Sequence, residues 1–314
     1  MLSRRHIRVK VMQVLYAFNG TESDDFSKDQ KFLLYSIDNM YNLYLMLMSL
    51  LIEVSKKSKT QLETIQKKHL ATAEEKNPNK KFINNHVLQL IANNQALKAA
   101  FETHKINNWE LDNEYIDIIY KDIVASDLYK DYMQTKTSTF KEDKDFLVDV
   151  FKEIIAPNEK LYDYIEDKNL TWLDDLPTVN TSILKLLRKI KETSDDHLLT
   201  PKLYKDADDK QYAIDLFKKT LLNQSKLGEE ITGKTKNWDT ERIASIDLVL
   251  LKMAICELTN FPSIPTKVTI NEYLEIAKEY STPKSSIFIN GILDKLLKEY
   301  QEAEKLNKVG RGLM

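Results

Sequence analysis

The stretch I243-A-S-I-D-L-V-L-L-K-M-A-I-C-E-L258 decides the fold. Apolar side chains occupy nearly every position, so no single face of a helix could hold them all. A helix of this kind has to be surrounded by neighbours on every side. Asp247, Lys252 and Glu257 are its polar exceptions. Asn260-Phe261-Pro262 and Pro265 end it, because proline removes a backbone donor and blocks continuation. A second helix is predicted from Thr266 or Thr269, where Thr269-x-x-Glu272 has capping-box spacing and Ile270, Leu274 and Ala277 form an inner stripe. Pro283 and Ser285 introduce a third. Gly291 in its middle costs about 1 kcal/mol against alanine, an expense that predicts close approach of another backbone.

The remainder of the 314 residues agrees with an all-α class. With 6 glycines and 7 prolines there is little material for hairpins, while Lys, Glu, Leu, Asp and Ile favour helices with short polar connections. A formal charge of −2 gives no global attraction to nucleic acid, but the distribution is uneven. Of six arginines, Arg4, Arg5 and Arg8 lie in the first eight residues. The planar guanidinium fork suits phosphate and base edges, so this clustering points to a phosphate-reading patch; an ordinary helix start with solvated basic residues is the alternative. Residues 4–19 read as an amphipathic helix capped by Ser3 and stopped at Asn19-Gly20, with Ile7, Val11, Val14, Leu15 and Phe18 on its apolar face. Arg5, Arg8, Met12 and Tyr16 fall along one flank of that stripe, where arginine can meet phosphate and tyrosine can stack on a base.

Between these ends the chain changes character. One long helix is expected over 28–57, a break at Asn77-Pro78-Asn79, and two more helical patterns over 82–104 and 112–135. No chemistry-bearing motif occurs in 28–140, which reads as a helical insertion. An internal repeat follows. FLVDVFKEIIAPNEKLYDYIEDKNLTW (146–172) aligns without a gap on YAIDLFKKTLLNQSKLGEEITGKTKNW (212–238) at an offset of 66 residues, pairing Phe151 with Phe217, Ile165 with Ile231 and Trp172 with Trp238. Either one helical hairpin was duplicated, making 145–200 the first copy, or two unrelated amphipathic hairpins share a pattern.

Motifs for catalysis are missing. Neither G-x-G-x-x-G nor G-x-x-x-x-G-K-[ST] occurs, and five scattered histidines make no H-E-x-x-H. The single Cys256 sits in the apolar helix and reads as a small core residue. No cofactor or metal is expected, and the chain reads as a non-enzyme. A start interrupted by Arg4, Arg5, Arg8 and Lys10 is too polar for a signal peptide, and LYLMLMSLLIEV (43–54) is too short to span a membrane, so a cytoplasmic protein is expected.

The ordered motifs at both ends resemble the NusB family. RRHIR…VLY, with Leu15 and Tyr16, resembles that family's RRxAR…ALY opening. KVTINEYLEIAK, through Lys267, Asn271 and Glu272, is similar to KVxINEAIELAK, and FINGILD, through Phe288, Asn290, Gly291 and Asp294, to FVNGVLD. The resemblance covers 1–20 and about 205–300. It implies a helical bundle of two subdomains, here with an added insertion. It also implies RNA binding and pairing with the ribosomal protein NusE on single-stranded boxA leader RNA, within RNA polymerase antitermination complexes that support ribosomal RNA synthesis. Carried over by position, the RNA side comprises Arg4, Arg5, Arg8, Tyr16, Asp247 and Phe288. Asp247 and Phe288 have an alternative as packing residues, and Asn271 and Glu272 as capping residues. Ser281 stands where a glycine commonly ends the penultimate helix, and Ile287 where a lysine precedes the motif phenylalanine. Other readings are a scaffold for ribosome assembly that works through the insertion, or the RNA-binding part of an enzyme that modifies ribosomal RNA.

Overall fold

The computed structural model describes residues 1–20, 26–67, 72–234 and 243–313. These form helices, with no strand among the described residues. In chain order they are α1 (Arg4–Asn19), α2 (Phe26–Gln66), the short α3 (Ala73–Lys76), α4 (His86–Asn93), α5 (Gln95–His104), α6 (Asn108–Leu111), α7 (Asn113–Ala125) and α8 (Asp127–Tyr132). There follow α9 (Phe140–Val150), extended by a π turn (Phe151–Ile155), α10 (Glu159–Lys168), α11 (Leu176–Lys189), α12 (Ala207–Leu222) and α13 (Gln224–Lys234). The last three are α14 (Ser245–Asn260), α15 (Thr266–Tyr280) and α16 (Ser285–Glu302). None of the described helices is long and apolar enough to cross a membrane. Two compact units emerge, one of Met1 with 38–203 and the other of 2–37 with 204–314.

The second unit is built around α14. That helix packs against α1, α12, α13, α15 and α16, and its residues from Val249 to Leu258 are buried except Lys252. The all-round apolar pattern thus finds the neighbours it requires. Ser3 caps α1 by accepting from the His6 backbone N–H, and α1 stops at Asn19, with Gly20 at φ −91° rather than in the left-handed region.

The capping-box expectation for α15 fails. Its first residue is Thr266, preceded by Pro265 with no side-chain cap. Thr269 instead points inward and donates to Glu257 at 2.7 Å, and Glu272 pairs with Arg5. Nor does Gly291 admit a close neighbour. A Cβ built there meets nothing within 4 Å. The glycine that does need its missing side chain is Gly312, whose added Cβ would lie 1.9 Å from the Pro262 carbonyl oxygen. Val309 N–H donates to that same carbonyl and Lys308 to the Phe261 carbonyl, so the segment after α16 is clasped onto the turn after α14.

In the first unit the apolar stretch 43–54 of α2 lies in the core, and α2 runs nine residues further than the 28–57 pattern predicts. The 82–104 and 112–135 patterns each break in two. Asn94 accepts from Leu97 N–H to start α5 and donates to the Asp196 carbonyl, while Ser126 does the same for Tyr129 N–H at the start of α8. Short polar side chains that satisfy backbone groups compete with the continuing helix at those points. Segments from both sides of residue 140 pack together here, α4 and α11 against α9.

Helix boundaries follow the 66-residue offset. The run from α9 through its π turn lies over α12, and α10 over α13. Paired positions share burial: Phe146 with Tyr212, Val150 with Leu216, Phe151 with Phe217, Leu161 with Leu227, Ile165 with Ile231. The buried acids Asp143 and Asp209 also fall at this offset, and each ties down the start of an earlier helix. Asp143 takes the His86 backbone N–H at 2.8 Å at the start of α4; Asp209 takes Arg4 Nε at 2.9 Å at the start of α1. Trp172 is buried and donates to the Asn39 carbonyl, whereas Trp238, its repeat partner, lies outside the described residues.

Candidate nucleic-acid interface

The three N-terminal arginines take three different positions. Arg4 donates to Asp209 at 2.9 Å, lies 5.1 Å from the Tyr212 ring centroid, and keeps 42% of its side chain exposed. Arg5 makes a two-pronged contact with Glu272, at 2.9 and 2.8 Å, with 45% exposed. The Glu272 hydrogen bond raises the Arg5 pKa against the opposing effect of partial burial. Both guanidiniums retain solvent-facing surface for an anion.

Arg8 is the correction. Its side chain is 2% exposed, and it donates to both oxygens of Glu257 at 2.8 and 2.7 Å. Burial works against its charge, but the attraction and hydrogen bonds of Glu257 outweigh that effect and the pKa ends above the ordinary arginine value. Glu257 mirrors this. Desolvation would raise its pKa, yet Arg8, Tyr212 and Thr269 hold it below the usual glutamate range. Tyr212 donates to Glu257 at 2.5 Å, and Tyr273 lies 3.3 Å away. One carboxylate on α14 therefore gathers donors from α1, α12 and α15. Met12, assigned to the same flank as Arg8, is also interior. Residues Ile7 to Met12 are all buried, so α1 is enclosed round its circumference at mid-length and the simple two-faced reading does not hold there.

Tyr16 is half exposed. Asp247 is buried in the first turn of α14, where it accepts from Ser281 at 2.6 Å and Ser285 at 2.7 Å. It fastens the α15–α16 connection and is not presented to a ligand. Ser281 has φ −129°, an extended conformation that needs no glycine, and its hydroxyl uses the substitution to hold Asp247. Phe288 is half-buried, and Lys267 and Asn271 are exposed on α15. Asn290 donates to Asp294 one turn on, at 3.0 Å, beside the exposed Gly291. Ile287 is three-quarters exposed.

Arg4, Arg5, Ile264, Pro265, Val268 and Glu272 line a groove of about 560 Å³. A lining that combines apolar side chains with two half-exposed guanidiniums, one of them paired with Glu272, can take a base or apolar group and an adjacent anion. A larger groove of about 720 Å³ in the first unit is lined by Lys56, Lys98, Phe101 and Trp109 but also by Glu53 and Glu110, so its charge is mixed. Among the described residues no His, Cys, Asp or Glu group is arranged to hold a metal ion. Cys256 is buried, and burial pushes its thiol up to about 11, which suits a core residue and not a nucleophile.

A bundle centred on an enclosed apolar helix, with a basic groove at one end of α1 and α15, defines an all-helical class. Residues 186–298 match the NusB family model. The Salinibacter ruber protein named Transcription antitermination protein NusB is 43% identical over 112 residues, 36% of this chain and 70% of that relative. Proteins of the same name from Chloroherpeton thalassium and Natranaerobius thermophilus are 40% and 43% identical, over 33% and 31% of this chain and 50% and 66% of their own lengths. No solved structure matches the chain significantly. The chain belongs to the NusB family. The family-model match begins in α11 and ends in α16, leaving α1 and most of the first unit outside it.

Proposed function

We propose that this protein is a non-enzymatic transcription antitermination factor. In this reading it binds boxA-like single-stranded leader RNA together with the ribosomal protein NusE and supports ribosomal RNA transcription. The observation that carries the reading is the 43% identity, over 112 residues, to a protein named for transcription antitermination. The groove at Arg4 and Arg5 supports it, because two guanidiniums stand half exposed beside apolar side chains. Arg4, Arg5 and Tyr16 are the proposed RNA contacts, with Lys267 and Asn271 on the adjacent exposed face of α15. Phe288, half-buried, is a candidate at the edge of this surface. Arg8 and Asp247 act indirectly, one fixing α1 on α14 and the other fixing the start of α16.

The test is fluorescence anisotropy with a boxA-like single strand, with and without the ribosomal protein, over a range of salt. Each phosphate contact contributes about 0.7 to the slope of log affinity against log salt, so replacing Arg5 by alanine lowers the slope by about that amount and weakens binding. An Arg5→Ala protein that is folded and binds with unchanged affinity and slope refutes the assignment of this groove.

A further inference from the structure

Exposed aromatic rings are few in this protein, and they are gathered. Among the described residues the exposed large aromatics are Tyr16, Phe26, Phe32, Tyr35 and Tyr162. Four of these five lie between residues 16 and 35, all in the second unit. Phe18, near the end of α1, stacks on Phe26 at 5.8 Å between centroids, which sets the first turn of α2 beside the last turn of α1. At helical spacing Lys28, Lys31, Phe32 and Tyr35 fall within an arc of about 100° on α2, opposite the buried Leu33, Ile37 and Met40. Asp29 lies off this arc, and Asp38 ends it one turn on.

Phe32 and Tyr35 thus present two half-exposed rings beside two lysines on one helical face. The chemistry of the face narrows the partner. A ring offers a π-face to any unpaired base, and an ammonium one turn away can meet the phosphate beside it. Duplex bases are already stacked on each other and offer no such face, so the strand has to be unpaired.

We propose that the Lys28–Lys31–Phe32–Tyr35 face of α2 is a second contact surface for single-stranded RNA, on which bases flanking the groove-bound element stack. The proposal rests on the RNA-binding reading and extends it to a part of the chain outside the family-model match. Its consequence is a longer footprint than the Arg4–Arg5 groove alone can hold.

The experiment uses the full chain and two labelled RNAs, a short boxA-like oligonucleotide and the same element flanked on both sides by oligouridine. Wild type is expected to bind the flanked RNA more tightly. The F32L/Y35L double variant keeps apolar bulk and helix propensity but loses both π-faces. It should lose at least about tenfold in affinity for the flanked RNA, while affinity for the short one stays the same. K28Q/K31Q should lower the salt slope on the flanked RNA by about 1.4 and leave that on the short RNA unchanged. Circular dichroism checks that each variant is folded. The proposal is overturned if flanking adds no affinity in wild type, or if folded F32L/Y35L binds the flanked RNA like wild type. An F32L/Y35L variant that loses a protein partner while its RNA affinity is intact also overturns it, and gives the face to that partner. If neither RNA binds wild type, even with the ribosomal protein, the RNA reading itself falls first.

Discussion

Replacing Arg8 by methionine tests the central physical claim about the second unit. The guanidinium makes two hydrogen bonds to Glu257, both buried, and the methionine fills similar volume without charge. The carboxylate left behind keeps hydroxyl donors from Tyr212, Thr269 and Tyr273 but loses the guanidinium paired with it. Removing one partner of a buried ion pair costs about 3–5 kcal/mol. The three hydroxyls offset part of this, so we expect the lower end, about 3 kcal/mol, which is somewhat more than a hundredfold in an opening equilibrium. Because the chain has two compact units, a single melting curve averages over both. Hydrogen exchange read by mass spectrometry separates them. Amides of α1 and α14 should lose about a hundredfold in protection, while those of α4 and α9 keep theirs. The R8M/E257Q double variant should recover part of the loss, since it removes the unpaired charge while the amide oxygen still accepts from the hydroxyls. Protection in R8M within threefold of wild type would refute the claim that this pair anchors α1.

Acid should act on the same network. The folded pKa of Glu257 is depressed, so its contribution is present above the ordinary glutamate value and is lost as pH falls through the lower folded value. Protection of α1 and α14 should therefore decline below about pH 4.3, and this decline should be absent from R8M/E257Q. Gly291→Ala should stabilise the second unit by about 0.5–1 kcal/mol, because an added methyl meets open space on a helix; a destabilised variant in urea titration would contradict the exposed placement. Gly312→Ala should instead lose the clasp on Pro262, seen as faster exchange of the Val309 amide. Cys256 should resist alkylation in the native protein and react only on unfolding, given its burial and a thiol raised to about 11.

The sequence carried the helices better than the meaning of their polar residues. The apolar circumference of 243–258 is visible in one dimension, and so is the 66-residue register, because both repeat a pattern along the chain. Arg8 looked like one more member of a basic cluster, and nothing within α1 distinguishes it from Arg5. Its identity as an interior residue depends on Glu257, 249 residues away, which along the chain is only a polar exception in an apolar helix. Thr269 and Glu272 have capping spacing in one dimension for the same reason: their partners, Glu257 and Arg5, lie on other helices. The exposed aromatics of α2 are not legible in one dimension, because Phe and Tyr in a helical pattern ordinarily face inward.

The Arg8–Glu257 link also bears on how the chain is made. Ribosomes add roughly 5–20 residues per second, so a partner 249 positions downstream emerges some 10–50 s after α1 does. For that interval the α1 segment lacks α12, α14 and α15 to cover its apolar residues, while residues 38–203 can already have assembled. A chaperone that captures nascent chains by such segments would meet this one early, and shortening the wait by circular permutation should lessen its dependence on that help.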